Sequence, residues 1–189
     1  MSRRLRYQVA MSLDGFIARP NGEYDWIVMD PAIDFAALFS EFDTAVMGRR
    51  TYEIVTAQDA HGALPGLDVI VFSRTLPPST RPGVEIVSDD PRHVVRALKD
   101  KPGRDIWLYG GGTLFRELLD GGLVDTVEVA VMPVLHGSGV PLLPPGAATT
   151  LTLTDQHSID GSGIVALAYS VPGGVGPPPR IRYIKRAGA

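Results

Sequence analysis

Three consecutive glycines are the first feature of this chain that could do chemistry. Gly110, Gly111 and Gly112 stand between four β-prone residues, 106–109, and a run, 113–119, whose apolar side chains recur at helical spacing. A strand that breaks at glycines and restarts as a helix leaves backbone N–H groups at the helix N-terminus with no side chains above them. The sequence therefore predicts a corner that can hold a phosphate.

The residues after the glycines fit the same interpretation. Thr113 could cap the helix or donate its hydroxyl to an anion, while Leu114, Phe115 and Leu118 would face a sheet. A turn that needs glycine only for its backbone angles is the alternative, but three glycines in a row favour a close approach by a ligand. The Rossmann fingerprint G-x-G-x-x-G is absent, because Phe115 stands where its last glycine would be.

Two further strand ends carry residues of the same kind. The predicted strand 44–47 ends in a glycine, two arginines and a threonine, which are Gly48, Arg49, Arg50 and Thr51. The predicted strand 68–72 ends in two hydroxyl side chains and an arginine, which are Ser73, Arg74 and Thr75. Arginine can bind two phosphate oxygens at once, and a helix beginning at residue 49 adds its positive end. Because ligands collect beyond the carboxyl ends of parallel strands, we expect the three ends to converge on one ligand.

These strand ends belong to a pattern in which strands and helices alternate. Residues 5–11 predict the first strand, 16–18 a brief second strand, 84–87 a later strand and 91–99 a helix. Asp30 and Pro31 predict another helix, with Asp30 as its N-cap and Pro31 as its first residue. The apolar face of that helix would be formed by Ile33, Phe35, Leu38, Phe39 and Phe42.

After the glycines at 121 and 122 the pattern changes to consecutive strands. Four segments, 124–132, 134–143, 151–157 and 164–171, are rich in β-prone residues and have no helical run between them. The chain is therefore predicted to be an α/β protein with a mixed, mostly parallel sheet and an antiparallel C-terminal edge. We expect one domain over 1–171, followed at 172–189 by a Pro/Gly-rich linker and a basic tail. A frayed end, an extra edge strand and an arm swapped in a dimer are the alternatives for the tail.

Composition excludes several classes of function. The 189 residues, 44% of them hydrophobic, suit one domain with a core, and a net charge of −3 offers no basic field to nucleic acid or anionic membranes. The absence of cysteine excludes disulfides, thiolate catalysis and cysteine-ligated metals, and the four histidines lack metal-ligand spacing. Since no apolar run is long enough for a signal peptide or a membrane span, we expect a cytoplasmic protein.

Four stretches of the chain, in order, together resemble one known family. They are AMSLDGFIA at 10–18 with Gly22, Trp26 and Ile27 behind it, VMGRRTYE at 46–53, VFSRT at 71–75 and YGGGTL at 109–114. A weaker match follows at 132–135 with Gly137 and Gly139. The order resembles the dihydrofolate reductase fold, in the branch that contains the reductase domain of the bacterial riboflavin deaminase–reductase and its stand-alone relatives. The resemblance covers about residues 4–171 and implies a three-layer α/β/α architecture.

The resemblance also implies NADPH as the cofactor. The residues that it assigns to the cofactor are Ala10, Ile17, Gly48, Arg49, Arg50, Thr51, Ser73, Arg74, Thr75, Gly110, Gly111, Gly112, Thr113 and Leu114. Residues 48–51 and 73–75 would hold the adenosine end and its 2′-phosphate, and 110–114 would hold the pyrophosphate. Ala10 and Ile17 would line the nicotinamide, and the Gly110–Gly111 bond is expected to be a cis peptide.

On the substrate side, the resemblance directs attention to the loop after the first strand. Asp14 is the first choice for contact with the substrate and for proton supply, although an Asp that only braces the turn is the alternative. Ser12, Trp26 and Asp34 are the other expected substrate contacts. In dihydrofolate reductases the acid lies on the helix after the loop tryptophan. Neither Asp30 nor Asp34 falls at that spacing, which favours the riboflavin branch, and both remain alternative proton donors.

The function implied is NADPH-dependent reduction of a small heterocycle, pteridine- or folate-like or ribosylaminopyrimidine-like, by hydride transfer from nicotinamide C4. No deaminase motif precedes the matched region, so we expect a free-standing reductase. A non-catalytic NADPH-binding module and a reductase of an unrelated small molecule are the alternatives. Open strand edges in the C-terminal half predict a homodimer.

Overall fold

The structure is a computed structural model that describes residues 3–28, 30, 33–58, 64, 66–159 and 161–176. Its helices and strands alternate up to residue 120 and are followed by strands alone. In chain order they are β1 (Leu5–Ser12), β2 (Phe16–Ala18), α1 (Phe35–Phe39), β3 (Phe42–Gly48), α2 (Arg49–Gln58), β4 (Asp68–Phe72), β5 (Val84–Val87), α3 (Pro91–Lys99), β6 (Asp105–Gly110), α4 (Gly112–Asp120), β7 (Thr126–Met132), β8 (Val140–Pro141), β9 (Thr152–Ser158) and β10 (Val165–Ser170).

Eight of the strands form one sheet, in the order β5-β4-β3-β6-β1-β7-β10-β9. The pairs from β5 through β7 are all parallel, whereas β10 runs antiparallel to both β7 and β9. The remaining strands, β2 and β8, form a separate antiparallel pair. The predicted α/β class, with a mostly parallel sheet and an antiparallel C-terminal edge, is confirmed.

Helices cover both faces of this sheet. On one face α3 and α4 contribute Val95, Phe115 and Leu118 to the largest buried cluster, where Tyr7 of β1 stacks on Phe115 with ring centroids 3.9 Å apart. On the other face lie α1, whose Phe39 packs on Trp107 at 5.4 Å, and α2. The predicted three-layer architecture is therefore present, and the buried faces follow the alternation of side chains along each strand.

A buried ion pair joins the neighbouring strands β1 and β7 on the α1 side of the sheet. Arg6 of β1 donates from Nε and Nη2 to the two carboxylate oxygens of Glu128 on β7, at 2.8 and 2.7 Å, and each residue is 1% exposed. Thr126 donates to Glu128 at 2.8 Å, and Glu41 and Asp105 accept from Arg6 Nη1. Burial works against the charge of Arg6, but hydrogen bonds and charge from Glu128 and then Glu41 raise its pKa above the ordinary arginine value.

The helix predicted at Asp30 begins later. Its N-cap is Asp34, whose side chain accepts from the Ala37 N–H at 2.9 Å, and the helix spans only Phe35–Phe39. The Asp30 carbonyl accepts from the Ile33 N–H at 3.0 Å before the helix, and Phe42 belongs to β3. Both aspartates fit an N-cap by residue type, and the one next to the apolar run Phe35–Phe39 caps the helix. Pro31 lies outside the described residues.

The strand predicted at 134–143 is also wrong. Only Val140 and Pro141 pair as a strand, and they pair with β2 rather than within the main sheet. Gly137 has a positive φ of 71°, and Pro133 and Pro141 have no N–H to donate, so 133–139 forms a loop. The Leu13 N–H donates to the Val134 carbonyl of this loop at 2.9 Å, and the Leu142 N–H, just after the loop, donates to the Gly15 carbonyl at 2.9 Å.

Residues 172–176, predicted as part of a linker, fold back against Asp125. The Asp125 side chain accepts from the Val175 N–H at 2.8 Å, and a Cβ on Gly174 would lie 2.7 Å from the Asp125 carbonyl oxygen. The domain boundary at 171 remains a prediction, and the basic tail lies outside the described residues. Among the helices of the described ranges, none is long and apolar enough to cross a membrane.

Candidate functional site

Three strand ends that carry glycine, arginine and hydroxyl residues lie side by side. Gly48 at the end of β3 pairs with Phe72 at the end of β4, and Met47 pairs with Gly110 at the end of β6. Residues 48–51, 73–75 and 110–114 therefore emerge at one edge of the sheet, as predicted. We call these three segments together the strand-end corner.

The glycine junction in this corner contacts the N-terminus of α2. The Gly110–Gly111 peptide bond is cis, as predicted, and Gly110 has a φ of +148°. A Cβ on Gly111 would lie 3.3 Å from the Thr51 hydroxyl oxygen, and one on Gly110 would lie 3.6 Å from it. Gly111 is the N-cap of α4 and offers no side-chain hydrogen bond, so the first N–H groups of α4 keep their donors for another acceptor.

The third glycine is needed for packing. A Cβ on Gly112 would lie 2.8 Å from the Pro141 carbonyl oxygen and 3.2 Å from that of Leu142, so the chain at 141–144 lies directly against the start of α4. Thr113 is exposed within the helix and does not cap it, because the N-cap position belongs to Gly111. Leu114, Phe115 and Leu118 are buried against the sheet, as predicted.

The arginines of the corner differ in their partners. Arg49 forms an exposed salt bridge with Glu53, one helical turn away, at 3.1 Å. Arg50 and Arg74 are exposed and form no salt bridge with any residue in the described ranges. Ser73 is used locally, since its Oγ accepts from the N–H groups of Thr75 and Leu76 at 3.2 and 3.0 Å.

Asp14 is placed to brace two loops. Its carboxylate accepts from the Ser12 hydroxyl at 2.6 Å, from the Gly137 N–H at 2.7 Å and from the His136 N–H at 3.0 Å. The hydrogen bond from Ser12, followed by those from the Gly137 and His136 amides, holds the pKa of Asp14 below its usual range. Ser12 also accepts from the Phe16 N–H at 2.9 Å. A carboxylate with a lowered pKa is a poor proton donor, so this geometry favours the bracing role.

The residues expected near the substrate form an apolar wall on the α1 side of the sheet. Trp26, Ile33 and Ala10 pack against a small cluster built on Met132 and Ile164. Asp34 faces its own helix as the N-cap of α1, while the Asp30 carbonyl accepts from the Ile33 N–H. Ile17 lies in β2 and is half-buried.

His136 is a member of this wall that the sequence did not reveal. Its ring lies edge-on to Trp26 with centroids 4.7 Å apart, and its Nε2 is buried without a hydrogen-bond partner among the described residues. The indole Nε1 of Trp26 and the Oε1 of Gln8 on β1 are also buried and have no hydrogen-bond partner among the described residues. Gly137, with a φ of +71°, and Gly139, where a Cβ would lie 2.4 Å from the Ala18 carbonyl oxygen, could have indicated a loop at 133–139, but neither places His136 beside Trp26.

Comparison with known proteins agrees with this geometry. The model of the RibD C-terminal domain matches residues 3–166. The uncharacterized protein YyaP of Bacillus subtilis is 31% identical over 179 residues, which cover 88% of this chain and 94% of YyaP.

Two solved structures superpose on this chain over most of its length. A candidate riboflavin biosynthesis protein from Shewanella sp. PV-4 superposes with a TM-score of 0.76 at 25% identity, covering 90% of this chain and 99% of that one. Dihydrofolate reductase from Enterococcus faecalis, in a complex with NADP(H), gives a TM-score of 0.68 at 18% identity, covering 90% of this chain and 99% of that one. This protein belongs to the RibD C-terminal domain family and has the dihydrofolate reductase-like fold.

Proposed function

We propose that this protein is an NADPH-dependent reductase of a small heterocyclic compound of the pteridine or ribosylaminopyrimidine type. The observation that carries the proposal is the strand-end corner. It combines an uncapped helix N-terminus, two exposed arginines without salt bridges among the described residues, and a glycine pair beside Thr51. Membership of the RibD C-terminal domain family and the fold shared with a reductase solved with NADP(H) support the assignment.

The described residues fit a dinucleotide phosphate in charge and in shape. The α4 N-terminus supplies backbone donors for a pyrophosphate, and a larger residue at Gly111 would crowd Thr51. Arg49, Arg50 and Arg74 supply guanidinium groups for a 2′-phosphate. Gly48 has no atom within 4 Å of its missing Cβ, so that side of the corner is open. When bound, NADPH supplies the hydride.

The apolar wall is the proposed substrate side. Ala10 borders it at the end of β1, and Trp26 and Ile33 close it from the α1 side. These residues would exclude water and hold a flat ring next to the cofactor. Because the carboxylate of Asp14 is already engaged by Ser12, His136 and Gly137, we assign it the positioning of both loops. A water, or the His136 imidazole, would then bring the proton.

Two measurements separate this proposal from a non-catalytic NADPH-binding module. NADPH should raise the melting temperature of either protein according to RT ln(1 + [L]/Kd). Only a reductase loses the absorbance of reduced nicotinamide when a heterocyclic substrate is added. No stabilisation by NADPH would contradict both functions, and stabilisation without turnover across pteridine and pyrimidine substrates would favour the binding module.

We also propose that the protein forms a homodimer through β9. This strand is the last of the sheet, six of its seven residues are exposed, and it carries neither lysine nor proline. Such an edge is open to pairing with another strand. Leu153→Lys should convert the dimer to a monomer in analytical ultracentrifugation, while Val175→Lys, also at an exposed position, should not. A monomeric parent chain would contradict the proposal.

A further inference from the structure

Positive charge is missing from the segments that build the proposed substrate side. Residues 7–48 contain one basic residue, Arg19, and residues 117–179 contain no lysine or arginine. The Arg19 guanidinium forms an exposed salt bridge with Asp25 at 2.9 Å, so the pair adds no net positive charge. Arg6 precedes these segments and lies beneath the wall, where it forms salt bridges with Glu128 and Glu41. Within the described ranges, therefore, these two segments carry no lysine or arginine that lacks a carboxylate partner.

Acidic residues are present in the same segments. Asp14 and Glu23 are exposed, and Asp30 and Asp34 are half-buried in the chain that follows Trp26. Asp155 on β9 lies on the wall side of the sheet, because it is opposite Ala168, which in turn is opposite Glu128 and Gln8. Its Oδ2 is buried without a partner among the described residues. The field on this side is therefore negative.

The wall itself offers uncharged groups to a ligand. Ala10, Ala130 and Ala166 lie opposite one another on β1, β7 and β10 and make a smooth strip of small side chains. The unpartnered Trp26 Nε1 is a hydrogen-bond donor and the unpartnered Gln8 Oε1 is an acceptor. Such a surface suits a flat ring that carries one acceptor and one donor.

The strand-end corner has the opposite charge. Arg49, Arg50 and Arg74 lie there, and the helix ends of α2 and α4 add their positive dipoles. The two halves of the proposed site are thus divided by charge, with cations on the cofactor side and carboxylates on the substrate side.

From this division we infer that the substrate of this protein is an uncharged or cationic flat heterocycle, and that phosphorylated or carboxylated heterocycles are rejected. The inference rests on the proposed function, which identifies one half of the site as the cofactor side and the other as the substrate side. An anionic group entering the substrate side would lose its hydration and meet a net negative charge, with no arginine of these segments that lacks a carboxylate partner. Discrimination would come from repulsion of the wrong ligand as much as from contacts with the right one.

The first test needs neither substrate nor cofactor. The chain has two tryptophans, so Trp107→Phe leaves the fluorescence of Trp26 alone. Quenching by caesium, iodide and acrylamide is measured at equal ionic strength, each normalised to free N-acetyltryptophanamide. We expect caesium to exceed iodide by about twofold in a negative field. Iodide equal to or above caesium would overturn the inference.

Matched variants locate the effect. Val28→Lys places a cation two residues from Trp26 and should bring the caesium-to-iodide ratio to unity or below, whereas Val175→Lys, at a similarly exposed position, should leave the ratio unchanged. Equal effects from both variants would show that net charge, rather than the substrate side, sets the ratio, and would overturn the inference.

The second test uses ligand pairs. Melting temperatures are measured with saturating NADP⁺ and then with 5-amino-6-ribosylaminouracil or its 5′-phosphate, and with pterin or 6-carboxypterin. The shift with NADP⁺ alone reports on the proposed function separately. We expect the uncharged member of each pair to stabilise the complex. We expect the anionic member to bind at least about tenfold more weakly. Equal or tighter binding of an anionic member, or no binding by either uncharged member, would overturn the inference.

Discussion

The carboxylate of Asp14 connects two loops that are far apart in the chain. It accepts hydrogen bonds from Ser12 on its own loop and from the backbone of residues 136 and 137 on the other. These donors lower the pKa of Asp14, so the stabilisation they give is complete above the ordinary aspartate pKa and is lost as the pH falls through the lowered value.

We therefore expect Asp14→Asn to lower the midpoint of urea unfolding at pH 7, and we expect its difference from the parent chain to shrink as the pH falls below the ordinary aspartate pKa, because the parent carboxylate then becomes protonated. The measurement is urea unfolding of both chains at several pH values from pH 7 down into the acid range. A difference that stays constant across this range would contradict the assigned bracing role.

The arginines of the strand-end corner predict cofactor preference. Arg49, Arg50 and Arg74 are each replaced by Met in a single variant. We expect one of these variants to lack the arginine that binds the 2′-phosphate. That variant should lose about 1.5–3 kcal/mol of NADPH affinity and hardly any NADH affinity. The salt bridge from Arg49 to Glu53 is exposed and does not hold Arg49 back from a phosphate.

Arg96→Met is the matched control, since Arg96 is exposed on α3, away from the corner. Titration calorimetry with both cofactors gives the comparison. Equal losses for NADPH and NADH, or unchanged NADPH affinity in all three variants, would contradict the assignment of the 2′-phosphate to these arginines.

At the scale of elements, the glycines of the two strand-to-helix junctions have different structural roles: Gly48 lies between β3 and α2, and Gly112 lies at the start of α4 after β6. Gly112→Ala should lower the free energy of unfolding by about 1–3 kcal/mol, because its Cβ would lie 2.8 Å from the Pro141 carbonyl oxygen. Gly48→Ala should leave stability nearly unchanged, since nothing lies within 4 Å of that Cβ. If the cofactor lies where we propose, Gly48→Ala should instead weaken NADPH binding.

Chemical denaturation and NADPH titration of both variants measure the two effects. A stable Gly112→Ala variant would show that the 141–144 chain can move away from α4. A Gly48→Ala variant with full NADPH affinity would place the cofactor elsewhere.

Elements with strong local signals could be predicted from the sequence. The bounds of β4, β5 and α3 coincide with the predicted ranges, because each is an apolar run between turn residues or, for α3, begins at Asp90 and Pro91. The 133–139 loop could not be predicted in this way. Its β-prone residues favour a strand, and it is held as a loop by hydrogen bonds to Leu13 and Asp14, which lie about 120 positions away in the chain.

In the candidate site, too, local signals could be predicted from the sequence and contacts between distant residues could not. The three strand ends were predictable as ligand-binding corners because glycine, arginine and hydroxyl residues follow each strand directly. The role of Asp14 depended on the amides of His136 and Gly137, and the place of His136 beside Trp26 depended on the packing of that loop. Neither relation leaves a signal in local spacing.

At the scale of the whole molecule, the pair of Arg6 and Glu128 fixes the register of β1 and β7. Glu128→Leu should lower the free energy of unfolding by about 3–5 kcal/mol, because it leaves the Arg6 guanidinium buried without its bidentate partner. The double variant Arg6→Met, Glu128→Leu should recover most of that loss. Thermal and urea unfolding of the three chains give the comparison, and a double variant as unstable as the single one would contradict this explanation.

Asp125 also has a consequence for how the chain could be rearranged. Its carboxylate accepts from the Leu5 N–H at 2.6 Å and from the Val175 N–H at 2.8 Å, so the beginning of β1 and residues 171–176 meet at one point. That point lies at the amino end of β1 and β7, whereas the strand-end corner lies beyond the carboxyl ends. A circular permutant that joins residue 176 to residue 3, so that the buried Arg3 is kept, and opens the exposed turn at 101–103 should therefore fold and keep its cofactor corner intact.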